Sequence, residues 1–213
     1  IQDSARDFVR GACPRDMLLK LDRDPAAIMT GIWKQMTELG WTGMAIPEEF
    51  GGTGNSLTDV AVLFEELGCG PVPGPLFSSA VLCARIVMEG ASDAQKKAWL
   101  PRIASGERAF ALALTEQQYH WTTDALRTNA RRAGDGYTLS GTKVFIHDAN
   151  FATDLLVRAE VALACVGAKI NESALLSGNL ASWLISGGSG VDKRANGVSN
   201  CGFLFWKDRW DVS

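Results

Sequence analysis

From Ile1 to Gly106 apolar residues recur at helical spacing, with Pro and Gly as punctuation. Ile28, Ile32, Trp33, Met36 and Leu39 share one helical face. They follow Asp24–Pro25, an N-cap with proline at the first helical position, and precede Gly40, a stop signal. A second stripe, Leu57, Val60, Ala61, Leu63, Phe64 and Leu67, lies between a Ser56/Asp59 capping box and Gly68. The stretch from Leu76 to Met88 is apolar nearly all round, broken only by small residues, Cys83 and Arg85, which predicts a helix buried at the centre of a bundle. Ser92 and Gln95 form another capping box, starting a helix that passes Trp99 and ends near Gly106. Pro101 within it predicts a kink or an early stop.

Beyond Gly106 the period shortens. FALALT (110–115), GYTLSG (136–141), TKVFIH (142–147) and DLLVRA (154–159) are short, rich in apolar and β-branched residues, and bounded by Gly, Asp and Asn, so each predicts a strand. On such a strand Phe145 and His147 flank Ile146 and point to one side. The turn signal Gly134-Asp135-Gly136 makes antiparallel pairing of adjacent strands the simplest arrangement. From about Val161 the composition changes: none of the seven prolines lies beyond Pro101, and no strand-turn pattern continues from DLLVRA. ESALLSGNLASWLI (172–185) has the periodicity of one helix.

The 213 residues, 46% hydrophobic and 21% charged, are ordinary globular usage and argue against wholesale disorder. A net charge of -3 leaves no basic surplus for a phosphate backbone, so nucleic-acid binding has no support. No apolar run reaches the length of a membrane span, and IQDSARDFVR is not a signal-peptide core, which predicts a cytoplasmic protein with no transmembrane segment. The start at Ile1 agrees with a fragment. The five cysteines are widely spaced with no CxxC pair, and the two histidines lie far apart, so buried or incidental thiols are expected and no metal site. Gly51, Gly52 and Gly54 match neither GxGxxG nor GxxxxGK and predict a turn, with Glu48 and Glu49 structural or solvated. Gly187, Gly188 and Gly190 read as linker.

Five segments stand in a telling order: ELGWTGMAIPEEFGG (38–52), FEELGCGPVPGP (64–75), AQKKAWLPRIASGE (94–107), ALALTE (111–116) and GYTLSGTKVFIHDANFATDLLV (136–157). In this order they resemble an acyl-CoA dehydrogenase, in which a helical domain with the PEE-GG loop leads to a middle β domain and then to a second helical domain. The resemblance implies an α+β chain: an N-terminal all-α bundle over residues 1–108 followed by a truncated antiparallel β domain over 109–160. Residues 161–213 remain an unassigned tail, for which a frame-shifted continuation of the gene is one reading.

The resemblance implies FAD as cofactor. Leu112, Leu114 and Thr115 would line the flavin from one strand, Phe145 and His147 from the next; backbone N–H groups and one hydroxyl suit the flavin's pyrimidine edge. The family more often has Trp and Thr or Ser where this chain has Phe145 and His147. His147 also reads as a surface histidine. After Glu116 the family runs through small residues, whereas this chain has QQYHWTTD (117–124). His120 and Trp121 then fall at the substrate contacts, or belong to a loop packed on itself.

The implied reaction is α,β-dehydrogenation of an acyl-CoA thioester, with electrons passing to an electron-transfer flavoprotein. The base is usually a glutamate of the C-terminal domain, so no catalytic residue is assigned in this chain. Two readings follow: a truncated dehydrogenase whose intact parent is an enzyme, homo- or hetero-oligomeric, or a non-catalytic subunit or remnant pairing with a related dehydrogenase.

Overall fold

The structure is a computed structural model that describes residues 1–14, 16–118, 126–133, 136–162, 194–195 and 203–207. Helices come first: α1 (Gln2–Ala12), α2 (Met17–Arg23), α3 (Pro25–Glu38), α4 (Leu57–Leu67), α5 (Ala84–Gly90) and α6 (Asp93–Ala104). Their starts obey local chemistry. The Asp24 carboxylate accepts from the Ala27 N–H at 3.2 Å with Pro25 at the first helical position, and both Ser56/Asp59 and Ser92/Gln95 form reciprocal capping boxes. α6 runs three residues past Pro101 and stops at Ala104 instead of ending early. The proline lies in the last turn, so few intrahelical bonds depend on it.

α1 to α4 bury residues around Met36, Trp41, Leu63 and Leu76, and α5 and α6 bury theirs around Val87, Leu100 and Ile103. Full burial of a side chain such as Leu63, 1% exposed, contributes roughly 1.5–3 kcal/mol. A two-pronged bond from Arg6 to the nearly buried Glu66, 2.8 and 2.6 Å, ties α1 to α4. At the exit from α6, Gly106 takes a left-handed φ of 68°. Its carbonyl accepts from the Trp33 indole at 2.9 Å. A Cβ here would lie 2.3 Å from the Thr37 Oγ1, so the close approach of α3 requires glycine.

The stretch expected at the centre of the bundle is helical, but it is buried on one side. Leu76–Cys83 is a π-helical segment that passes directly into α5. Ser79, Cys83 and Ala84 are fully buried, whereas Phe77 is 50% and Leu82 37% exposed. Apolar composition all round does not reveal which face finds neighbours.

Among the described residues seven strands follow: β1 (Phe110–Ala113), β2 (Asn129–Ala133), β3 (Gly136–Ser140), β4 (Asp154–Arg158), β5 (Glu160–Ala162), β6 (Arg194–Ala195) and β7 (Phe203–Lys207). The β2–β3 hairpin is antiparallel, as its turn signal predicts. β1 and β4 instead pair in parallel, Phe110 opposite Asp154 through Ala113 opposite Val157, because the hairpin is part of the crossover between them. One sheet has the order β1-β4-β7 and the other β5-β2-β3-β6. The described residues are therefore a helical region followed by a small sheet region with mixed pairing.

Two expectations about strands fail. TKVFIH (142–147) is not a strand: residues 141–146 are irregular and 147–150 form a turn. Phe145 and Asp148 adopt φ of 54° and 60°, which no ladder tolerates. Strands do occur beyond Ala159. Phe203–Lys207 pairs antiparallel with β4, consistent with the β-forming run Phe-Leu-Phe-Trp behind Gly202. The helix expected over 172–185 and the glycines 187, 188 and 190 lie outside the described residues.

Candidate functional site

β1 leaves the helical core at a gradient of burial. Phe110, Ala111 and Ala113 are fully buried, Leu112 is half-buried against the core around Cys83, Leu100 and Leu156, and Leu114 is 42% exposed. Thr115, the next residue, is half-buried. Its carbonyl accepts from the Val144 N–H at 2.9 Å. This bond brings the segment after β3 to the end of β1.

That segment forms an arch over residues 143–148. Lys143, 4% exposed, reaches under the end of β1, where its Nζ donates to the Leu114 carbonyl at 3.1 Å and to the Glu116 carboxylate at 2.8 Å. Phe145, 70% exposed, and His147 stand outward while Ile146 is half-buried. Phe145 and His147 are thus both exposed, and an arch instead of the expected strand presents them. Leu114, Thr115, Phe145 and His147 belong to two segments joined through the Thr115–Val144 bond, and Leu112 supports them from the core. His120 and Trp121 lie outside the described residues.

Glu116 is the electrostatic centre beneath this surface. Its carboxylate accepts from the Arg127 N–H (2.8 Å), the Thr128 N–H (2.9 Å), the Thr128 hydroxyl (2.5 Å) and Lys143. Burial pushes its pKa up, but the bonds from Lys143, Thr128 and the two amides outweigh burial and hold it at about 2. Burial likewise pushes Lys143 down from its ordinary value, against the attraction of Glu116. A carboxylate with four donors and so low a pKa is a poor proton acceptor, so Glu116 is structural. Sequence reasoning assigned Glu116, Thr128 and Lys143 no role, although Glu116 and Lys143 sit in the quoted segments ALALTE and GTKVFI; one acid and one base there are the available signal.

The low value has a testable consequence. Because the folded value lies below the ordinary 4.5, the stability it contributes is present above about pH 4.5 and lost as pH falls toward 2. After allowance for partial solvent screening the loss is on the order of 2 kcal/mol. Urea midpoints at pH 5 and pH 2.5 should show it, and Glu116→Gln should flatten that difference; an unchanged difference would count against the assignment.

The glycine loop is a turn. The N–H groups of Gly52, Thr53, Gly54 and Asn55 donate to the carbonyls of Pro47, Gly43, Ile46 and Met44 at 2.9–3.2 Å, so they are not turned out to cradle a phosphate. Glu48 and Glu49 are exposed. A groove of about 420 Å³, lined among others by Pro47, Phe50, Met88, Lys96 and Lys97, shares no residue with the arch. Among the described residues no group of His, Cys, Asp or Glu is arranged to hold a metal, and no helix is long and apolar enough to cross a membrane.

Residues 1–107 match the family model described as acyl-CoA dehydrogenase, N-terminal domain. The chain is 39% identical to (2S)-methylsuccinyl-CoA dehydrogenase of Cereibacter sphaeroides over 116 residues, 54% of this chain and 21% of that protein. It resembles the structure of an acyl-CoA dehydrogenase complexed with FAD from Bacillus anthracis, with a TM-score of 0.67 and 27% identity over 75% of this chain and 28% of that one. It also resembles the ChsE4–ChsE5 complex from Mycobacterium tuberculosis, with a TM-score of 0.63 and 26% identity over 75% of this chain and 42% of that one. The chain spans 21% to 34% of the length of the curated relatives it matches.

Proposed function

The chain belongs to the acyl-CoA dehydrogenase family, and from that premise we propose that it carries part of the FAD site of a protein that dehydrogenates an acyl-CoA thioester between Cα and Cβ. The observation that carries this reading is the Val144–Thr115 bond, which joins the arch with exposed Phe145 to the segment with exposed Leu114 and half-buried Thr115. The donor set fits a flat, apolar tricycle with a polar edge. Among the described residues nothing accepts from the Thr115 N–H or hydroxyl. Both are donors for that edge, Leu114 and Phe145 form an apolar wall that excludes water, and His147 offers a polar contact. When bound, FAD supplies the hydride acceptor. The electrons would pass on to an electron-transfer flavoprotein.

No residue of this chain is assigned as the base. Glu48 and Glu49 are solvated, and Glu116 is saturated with donors. On this proposal the chain is a truncated dehydrogenase, and the base belongs to the second helical domain of its intact parent. We assign the helical domain to 1–108 and the partial β domain to 109–160, and keep His120 and Trp121 as substrate-binding candidates. The tail reads as a frame-shifted continuation. Reading the gene in its other frames beyond Arg158 tests the point.

Titrating the purified chain with FAD tests the site. The parent should bind with a change in the visible flavin band, and Thr115→Val should weaken binding by about threefold to tenfold, the worth of one hydrogen bond. Equal affinity of Thr115→Val and parent would remove Thr115 from the site. The likeness to the two-component ChsE4–ChsE5 complex favours one second reading, a non-catalytic subunit paired with a related dehydrogenase. A colourless chain that co-purifies with a full-length homologue would select it.

A further inference from the structure

We propose that Ser78 and Asp148 are a positioning pair that holds the far foot of the 143–148 arch, so that the helical region sets how Phe145 and His147 are presented. The inference rests on the reading that this arch faces the flavin.

The near foot is held by Lys143 and by the Val144–Thr115 bond. Between the feet no sheet ladder supports the chain, and Phe145 and Asp148 both occupy the left-handed region, where a non-glycine residue persists only if its surroundings enforce it. At the far foot the Ser78 hydroxyl, on a residue 6% exposed, donates to Asp148 Oδ2 at 2.5 Å. The Asp148 carbonyl then accepts from the N–H groups of Phe151 and Ala152, each at 3.0 Å, closing the turn that leads into β4.

The neighbouring residue performs the matching task for β1. Ser79, fully buried, accepts from the Phe110 N–H at 3.0 Å. Consecutive residues of an α-helix point about 100° apart and seldom serve one face. Here the π-helical turn, with the Ala84 N–H reaching back to the Ser79 carbonyl, is wider and rotates less per residue. Ser78 and Ser79 are thus both buried, while Phe77 is turned outward. The start of the strand that leads to Leu114 and Thr115, and the end of the arch that carries Phe145 and His147, hang from two successive serines.

The test is amide hydrogen exchange on the full 213-residue chain, read on peptides covering 144–152 and, as reference, β1. Asp148→Gly keeps the left-handed backbone but removes the acceptor, and should raise exchange at Phe151 and Ala152 about tenfold with β1 unchanged. Asp148→Asn keeps both features and should restore protection to within about twofold. Ser78→Ala should behave like Asp148→Gly; should it fail to fold, the two Asp148 variants decide. Asp148→Gly with parental exchange would overturn the proposal, because the backbone alone would then hold the arch.

FAD titration of the same variants separates the two readings. A weaker and spectrally altered flavin complex in Asp148→Gly, rescued in Asp148→Asn, supports positioning of the site. A parent that binds no FAD overturns the flavin reading, and the exchange result still stands for or against the pair.

Discussion

Glu116→Ala is expected to destabilise the chain by about 3–5 kcal/mol in urea unfolding at neutral pH, the cost of leaving a buried charge without its partner. Lys143 is 4% exposed and, without Glu116, keeps among the described residues only the Leu114 carbonyl as a bonded acceptor. The same change removes the acceptor shared by the Arg127 N–H and both donors of Thr128. The carboxylate therefore joins the end of β1, the entry to β2 and the arch. Replacing both members of the pair, Glu116→Leu with Lys143→Met, should recover much of the loss, since an apolar pair leaves no charge to desolvate. A loss below about 1 kcal/mol for Glu116→Ala would show that solvent reaches Lys143 and that the pair behaves like a surface ion pair.

Gly52→Ala should cost about 2–4 kcal/mol and lower the melting temperature of the helical region. A Cβ at this position would lie 1.9 Å from the Ile46 carbonyl oxygen and 2.5 Å from that of Gly43. Neither oxygen can retreat cheaply: Ile46 O accepts from Gly54, and Gly43 O accepts from Ile46 and Thr53. Gly51→Ala is the informative comparison. Its Cβ meets nothing within 4 Å, but its φ is 81°, so only the left-handed backbone term of about 1–2 kcal/mol applies. Equal melting temperatures for the two variants would mean that the loop opens readily and that its four inward-pointing amides do not close it.

The helical half was legible because its signals are local. Asp24 and Pro25, Ser56 and Asp59, and Ser92 and Gln95 lie within three residues of their partners, and each starts the helix it predicts. The turn reading of Gly51, Gly52 and Gly54 held for the same reason. Pro101 was over-read, since its effect depends on how many turns follow it. The strands FALA and DLLVR were legible as strands, but not their parallel pairing, which depends on where the intervening hairpin passes.

The candidate residues were named from two short segments, Leu114 and Thr115 in one and Phe145 and His147 in the other, but the backbone that presents the second pair was not legible. The expected strand under Phe145 is absent because β-forming composition competes there with anchors distant in the chain. Lys143 bonds Leu114 across 29 residues and Glu116 across 27, and Asp148 bonds Ser78 across 70. No window of periodicity contains such partners.

By itself, then, the sequence determined the caps, the stripes, the glycine turn and the family, because these rest on neighbouring residues and on ordered motifs. Tertiary structure alone decided that the Leu76–Cys83 segment is buried on one side, that Glu116 is a saturated structural carboxylate and that an arch replaces a strand. Each of these depends on which distant groups supply the missing hydrogen bonds and exclude the water, and the folded chain brings those groups together.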